Sequence, residues 1–481
     1  MRPVLTFFAS KFKEIILPVG VIIIAVLAAG WGTAKLGIVI PGFLFLTAFG
    51  ILFLILVFKR PRIAFYSVII FCFTHQILIR EIGGFPYGIG VDLLLAVTCL
   101  AVAFGGSKEN NWKNIKSDIC ILTFIWFAYN LLEFVNPAGA SIAGAIQEMR
   151  TSALYWLLTV PACMVFFNRK KDLNAFLFLV LAFSLIAAVN GIKQLSFGLS
   201  NGEQQFLNAG AAKTHIIFGK LRVFSFYSDA GQFGASMAHI GLIALILALG
   251  PFKAWKRILL AIAAIILFYG MLISGTRGAL FALIVGIAVA LLLSKNIKVL
   301  IIGSAIALAG LFVLKYTFIG QSNYNIKRLR SSVNPNDASF NVRLYNQQIL
   351  RDYLSDRPFG GGVGSIGFWG RQYNSGKFLS SIPPDSYWVK VWAEYGIVGF
   401  ILWFGIMMYI LGKCCGIVWN IRDKALRAKL IALTAGAAGV VFCSYGNEVI
   451  NYLPTGIIVY ISWCFVFVGP TLDSKPEKKI I

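Results

Sequence analysis

The sequence predicts an all-α integral membrane protein with about 12–14 transmembrane helices and a large helical external loop between the eleventh and twelfth spans. Three observations predict it. First, 58% of the 481 residues are hydrophobic and the mean hydropathy is +0.80, far from the composition of a soluble domain. Second, the apolar residues come in blocks of roughly 17–23, long enough to cross the hydrocarbon layer as helices. Third, lysine and arginine gather in every second polar break. With the bilayer as solvent, each block satisfies its backbone internally by becoming a helix.

Fourteen spans are expected: 15–32, 36–58, 62–79, 87–105, 118–135, 151–167, 173–192, 232–250, 257–274, 278–294, 297–315, 391–411, 428–446 and 453–470. The first follows Arg2, Lys11 and Lys13 and reads as an uncleaved signal anchor, because so many spans follow it. The domains expected are the helices of 1–315, an external loop domain over 316–390, and the helices of 391–481.

A net charge of +24 suggests nucleic acid until its distribution is read. Lys59/Arg60/Arg62, Lys108/Lys113/Lys116, Arg169/Lys170/Lys171, Lys253/Lys256/Arg257, Lys295/Lys298 and the run from Lys413 to Lys429 fall in alternate loops. That is the positive-inside pattern, with both termini cytoplasmic, so the partner is membrane lipid and not nucleic acid. Six of the eight cysteines fall within spans and none in a long external loop, so no disulfide is expected. Three scattered histidines give no metal spacing, and neither metal nor cofactor is expected.

Two external segments, about 193–231 and 316–390, exceed ordinary loop length, and such loops usually carry function. In the second, Phe340, Leu344, Ile349, Leu350 and Tyr353 recur at helical spacing and stop before Pro358 and three glycines, which predicts an amphipathic helix. Basic residues, among them Arg343, Arg351 and Arg357, outnumber the aspartates there, on the side where the inside rule disfavours them. They suit either a solvated or lipid-facing surface or an anionic substrate.

Arg277 stands at the lip of a span among the small residues Ser274, Gly275, Thr276 and Gly278. It reads as a snorkelling helix end, or as a guanidinium, with Ser274 and Thr276, open to phosphate at a helix N-terminus. Arg222, Ser228 and Asp229 lead into the eighth span; they are helix caps or part of the same site. Asp385 is an N-cap after two prolines or a general base. Tyr387 and Trp388 are an interfacial belt or a sugar platform, and Glu394 needs a partner. Gly362–Gly367 matches GxGxxG but lacks the strand–helix–strand context of a dinucleotide site, so these glycines serve a tight turn after the amphipathic helix or a close backbone approach to a ligand. Within the spans, Asp92, His75 and His239 are the polar outliers, and the histidines are expected to bond the backbone of a neighbouring helix.

Taken in order, Arg222 with Ser228–Asp229 and Phe233–Gly234, then Ser274–Gly278, then Arg357–Gly364 with Asp385–Trp388 and Ala393–Gly399, resemble the bacterial O-antigen ligase/polymerase family. The resemblance covers about residues 220–400. It implies a glycosyltransferase of the bacterial inner membrane that moves a glycan from undecaprenyl pyrophosphate to an acceptor sugar on the periplasmic face, beneath the large loop. It implies no metal or cofactor, and it admits chain-length regulators or other polysaccharide-assembly proteins as partners. Arg277 and Arg222 match the family's arginines. Family ligases carry a His-Asn pair where this chain has Asp385–Ser386. That departure favours repeat-unit polymerisation, with Asp385, Arg277 and Arg222 catalytic and inversion at the sugar C1. The alternatives are ligation onto lipid A core, protein O-glycosylation and, from another class, a flippase for the same lipid-linked sugar.

Overall fold

The computed structural model describes residues 39–105, 110–332, 334, 338–384 and 386–473. The expected first span and Asp385 lie outside the described residues. The chain forms two compact units, Met1–Ile63 and Ala64–Ile481. In the first, α1 (Val39–Lys59) is apolar almost all round and ends on Lys59. α2 (Pro61–Glu81) opens on the proline, where a missing N–H costs no helical hydrogen bond.

The second unit continues with α3 (Gly88–Phe104), α4 (Asp118–Leu132), α5 (Ile142–Met149), α6 (Tyr155–Phe166) and α7 (Lys170–Ser196). The short helices α8 (Asn201–Phe206) and α9 (Ala212–His215) lead to an antiparallel pair, β1 (Ile216–Ile217) and β2 (Lys220–Leu221). Then come α10 (Ala230–Ala248), α11 (Ala254–Ile273), α12 (Gly278–Leu293) and α13 (Ile297–Tyr316). The loop helices are α14 (Tyr324–Ser331), α15 (Ala338–Leu354) and α16 (Gly367–Tyr373). The chain closes with α17 (Tyr387–Asn420), α18 (Lys424–Cys443), α19 (Thr455–Phe467) and α20 (Gly469–Asp473).

Among the described residues, nine helices are long and apolar enough to cross a membrane, and four shorter apolar helices occupy the other expected spans. The protein is an all-α integral membrane protein. α10 and α18 are buried along nearly their whole length, whereas α13 buries no residue. α10 is the central helix and packs on α7, α11, α12 and α18. Small residues set the spacing: a Cβ on Gly439 would come within 2.5 Å of the Ala282 carbonyl on α12. Close backbone approach of this kind is how helices associate in a bilayer, where apolar burial drives little.

Two spans depart from their expected bounds. The sixth begins at Ile142, because α5 runs into α6 through a π-helical turn, Arg150–Leu154. Arg150 leaves that turn to bond Asp92 at 3.1 Å, Gln147 at 3.1 Å and the Tyr155 hydroxyl at 3.1 Å, so the lone acid of the fourth span is paired. The twelfth is the 34-residue α17, in two pieces joined at Gly396. The histidine expectation is not met. His75 bonds the Cys72 carbonyl of its own helix, and His239 has no hydrogen-bond partner and packs on Gly436.

The basic breaks meet at one end of the unit. Lys170 pairs with Asp423 at 2.7 Å, Lys413 with Asp118 at 3.0 Å, and Lys429 donates to Asn174 at 2.7 Å. Lys170 also holds the Asp423 carboxyl below its usual range. Within the large loop, the expected amphipathic helix is α15. It buries Leu350 and Leu354 against Ile366, Leu379, Ile382, Val389 and Ala393, which fastens the loop to the first turns of α17. Phe340 and Leu344, nearer its start, remain exposed.

Candidate functional site

The turn between α11 and α12 is gripped from two sides by arginines. Arg222 Nε donates to the Ser274 carbonyl at 3.2 Å, and its Nη atoms reach the Thr214 carbonyl at 3.0 Å and Thr276 Oγ1 at 3.4 Å. Arg328, from α14, donates Nε to the Gly275 carbonyl at 2.9 Å and Nη1 to the Tyr324 hydroxyl at 3.3 Å. Tyr324 in turn donates to the Ile217 carbonyl at 3.2 Å, which fixes α14 on the β-hairpin. Arg277 follows immediately as the N-cap residue of α12. Burial, the neighbouring Arg328 and, more weakly, Arg277 pull the Arg222 pKa down to about 10. Arg222 and Arg328 repel one another, with Asp229 partly offsetting this and Arg277 adding to it more weakly, and an anion beside them would relieve that repulsion. A cavity of about 370 Å³ opens alongside, lined in part by Lys220, Ile273, Asn323 and Tyr324.

Gly275 makes the arrangement possible. Its φ is +59°, and a Cβ there would lie 3.0 Å from Arg328 Nε. Ser274 and Thr276 are buried, and both hydroxyls are engaged inside the protein. Ser274 Oγ donates to Met271 at 2.6 Å and Thr276 Oγ1 to Ala230 at 2.7 Å. These two residues shape the turn.

The segment from Arg222 to Gly234 is held by residues distant in sequence. Arg80 sends its guanidinium to the carbonyls of Ser225, Tyr227 and Ser228 and lies 4.5 Å and 4.7 Å from the rings of Phe206 and Phe224. Gln194 Oε1 accepts from the backbone of Phe224 and Ser225 at 3.3 and 3.0 Å. Asp229 caps α10, accepting from Gly231 and Gln232 at 2.7 and 3.0 Å, and Ser228 donates to it at 3.1 Å. His215 Nε2 accepts from the Ala230 N–H at 3.2 Å, and burial pulls its pKa below the ordinary value. Gly231 and Gly234 carry no side chain because Asn447 and the Ser274–Thr276 turn occupy that space.

The glycine-rich stretch after α15 meets the kink in α17. Gly361 and Gly362 N–H groups donate to the carbonyls of Ala393 and Glu394, each at 2.9 Å. Gly396 takes φ 64°, ψ −167°, and a Cβ on it would meet the Pro358 carbonyl at 2.1 Å. The two motif halves therefore lock one another, and the close approach expected of Gly362–Gly367 is to protein backbone. Gly364 N–H reaches Glu394 Oε1 at 3.0 Å and gives that buried carboxylate a partner.

One turn earlier on α17, sequence reasoning missed a cluster. Lys390 Nζ lies 2.7 Å from Glu148 Oε2 and 3.2 Å from Glu448 Oε2. Glu448 belongs to the 444–454 loop between α18 and α19. Three helix starts converge on that loop. Gln232 of α10 donates to the Glu448 carbonyl, Gly446 lies against Gly278 of α12, and Tyr387 N–H of α17 donates to the Ser444 carbonyl at 2.9 Å. A lysine between apolar residues and a glutamate before a span are weak signals singly; only folding pairs them.

The remaining candidates have local contacts. Tyr387 is buried, edge-on to Trp403 at 5.5 Å. Trp388 donates Nε1 to Val441 at 3.0 Å and packs against Trp403, Phe404, Phe442 and Tyr445. Arg343 is half-buried on α15, and Arg351 is exposed beside Asp352 at 3.6 Å. Arg357 lies over the Tyr353 ring at 4.1 Å and donates to the Tyr353 carbonyl at 2.6 Å. The N-cap of α17 is Ser386, whose Oγ accepts from Val389 N at 3.3 Å. A larger cavity, about 750 Å³, lies at the opposite, basic end. There Asp473 accepts from the backbone N–H groups of Arg422 and Asp423.

Fold and site define a polytopic helical membrane protein with arginines and a buried carboxylate–lysine cluster gathered around the starts of its central helices. Residues 262–404 match the family model described as O-Antigen ligase. A protein of Salmonella muenchen named O-antigen polymerase is 29% identical over 192 residues, which is 38% of this chain and 45% of that protein. The match thus spans less than half of the relative. Together these similarities support the O-antigen ligase/polymerase family for this chain. Arg277, Arg328, Lys390 and Glu394 lie inside the matched segment; Arg222, Glu148 and Glu448 lie outside it.

Proposed function

We propose that this protein is a membrane glycosyltransferase of surface polysaccharide assembly, a repeat-unit polymerase acting on glycans linked to undecaprenyl pyrophosphate. The observation that carries the reading is the meeting of Arg222 and Arg328 on the Ser274–Gly275 carbonyls with Arg277 next in the chain. Guanidinium groups from three segments at a helix start suit a pyrophosphate at the membrane surface. On this reading that surface is the periplasmic face of the inner membrane, with the termini cytoplasmic, an orientation the positive-inside pattern supports.

In the proposed step the acceptor hydroxyl oxygen bonds to C1 of the donor sugar. The bond from C1 to the pyrophosphate oxygen breaks, and undecaprenyl pyrophosphate leaves. Arg277, Arg222 and Arg328 stabilise the charge that develops on it. Asp385 takes the hydroxyl proton. A single displacement inverts C1.

The test is reconstitution of the purified protein with an undecaprenyl-pyrophosphate-linked repeat unit as sole substrate. Wild type should give a ladder of longer lipid-linked chains. Arg277→Ala and Asp385→Ala should each lose about a hundredfold or more in rate. Transfer that occurs only after lipid A core or a protein acceptor is added would replace the polymerase with a ligase.

A further inference from the structure

We infer that Glu448, held by the buried Lys390–Glu148 pair, is the carboxylate that binds the acceptor sugar's hydroxyl groups. The assignment rests on the transferase reading above and gives that site its second half.

The argument begins with the charge count. Lys390 faces Glu148 and Glu448 directly, and Glu394 lies one turn further along α17. Lys390 is thus shared between two carboxyl groups with a third nearby, so the centre is rich in carboxyl oxygens. Such a centre repels a pyrophosphate and attracts hydrogen-bond donors, and a sugar presents donors in its hydroxyl groups.

Exposure then singles out Glu448. Its side chain is 17% exposed, against 5% for Lys390 and 2% for Glu148. The two buried groups fix the position and the third meets the outside. Glu148 comes from the α5 end of the π-helical turn, a device common where a side chain must be re-aimed.

The independent sign of a ligand is a pair of orphaned acceptors. Glu148 Oε1 and Gln232 Oε1 are buried without a hydrogen-bond partner, on residues that are each 1% exposed. The second oxygen of that Glu148 carboxylate holds Lys390, and the Gln232 amide nitrogen donates to the Glu448 carbonyl, so both orphans belong to side chains anchored on this cluster. Buried acceptors left unmatched cost stability, and donor groups of a ligand satisfy them. The first turn of α10 joins the two halves. Ala230 accepts from Thr276 on the arginine side, and two residues on Gln232 bonds Glu448. Donor pyrophosphate and acceptor hydroxyl therefore have neighbouring seats of different chemistry.

The test separates acceptor use from donor use. Purified full-length protein receives the undecaprenyl-pyrophosphate-linked repeat unit, and two products are measured: elongated chain, and carrier released by transfer of the glycan to water. Glu448→Gln should lower elongation about ten- to a hundredfold, raise the apparent KM for a lipid-free acceptor oligosaccharide, and leave release to water within about twofold. Arg328→Ala should lower both products together. Glu448→Asp keeps the charge and should recover part of the elongation; it also serves if the Gln variant does not fold. Unchanged elongation in folded Glu448→Gln, or parallel loss of both products, overturns the assignment while the polymerase reading stands. A wild type that neither elongates nor releases carrier overturns the transferase reading and this assignment with it.

Discussion

Arg222 and Arg328 donate to the carbonyl oxygens of adjacent residues, Ser274 at 3.2 Å and Gly275 at 2.9 Å. Two cations more than 100 positions apart in sequence thus close on two successive peptide units. That geometry depends on a residue with no side chain. Gly275→Ala puts a Cβ 3.0 Å from Arg328 Nε in a left-handed conformation. The left-handed backbone alone costs about 1–2 kcal/mol. Thermal unfolding in detergent should show that loss, and carrier-linked elongation should fall further than stability alone explains, because Arg328 is displaced.

Gly396→Ala should be more damaging. Its backbone conformation is essentially restricted to glycine, and its new Cβ would meet the Pro358 carbonyl at 2.1 Å and the Gly360 nitrogen at 2.4 Å. The expected result is little folded protein in the membrane fraction. Gly376→Ala is the matched control: nothing lies within 4 Å of its Cβ, and yield should match wild type.

Lys390→Met removes the one cation between Glu148 and Glu448. Breaking a buried ion pair from one side costs about 3–5 kcal/mol, whereas replacing both partners costs much less. Lys390→Met with Glu148→Met should therefore be more stable than Lys390→Met alone in a detergent unfolding series. An additive double-variant cycle would show that the two side chains do not interact.

These relationships explain what the sequence could and could not disclose. The spans were legible because hydropathy is a local property, and thirteen apolar helices stand where blocks were read. The start of α5 was not, because Glu148 and Arg150 look like a polar break until Lys390 and Asp92 neutralise them. The turn around Arg277 was found from its small residues and charge. Its partner Arg328 read as one basic residue among many in the loop, since only folding brings α14 to Gly275.

His215 makes stability fall on the acid side. Its Nε2 accepts from Ala230 N–H, so it must be unprotonated there, and burial lowers its pKa; Asp229, Arg222 and Arg80 face it. The unfolded chain takes the proton first. The stabilisation is full above the ordinary histidine pKa of about 6.5 and is lost as pH falls through the lower folded value. His215→Gln should flatten that limb of a plot of thermal midpoint against pH. Identical acid limbs would contradict the hydrogen-bond assignment.

The central claim is that the arginines around Gly275 hold the carrier's pyrophosphate. Equilibrium binding of undecaprenyl pyrophosphate to the purified protein tests it most directly, with wild type compared with Arg328→Ala and uncharged undecaprenol as the control lipid. The account predicts that Arg328→Ala weakens undecaprenyl pyrophosphate binding about tenfold or more, while undecaprenol binds both proteins alike. Equal affinity of both proteins for the pyrophosphate would contradict it.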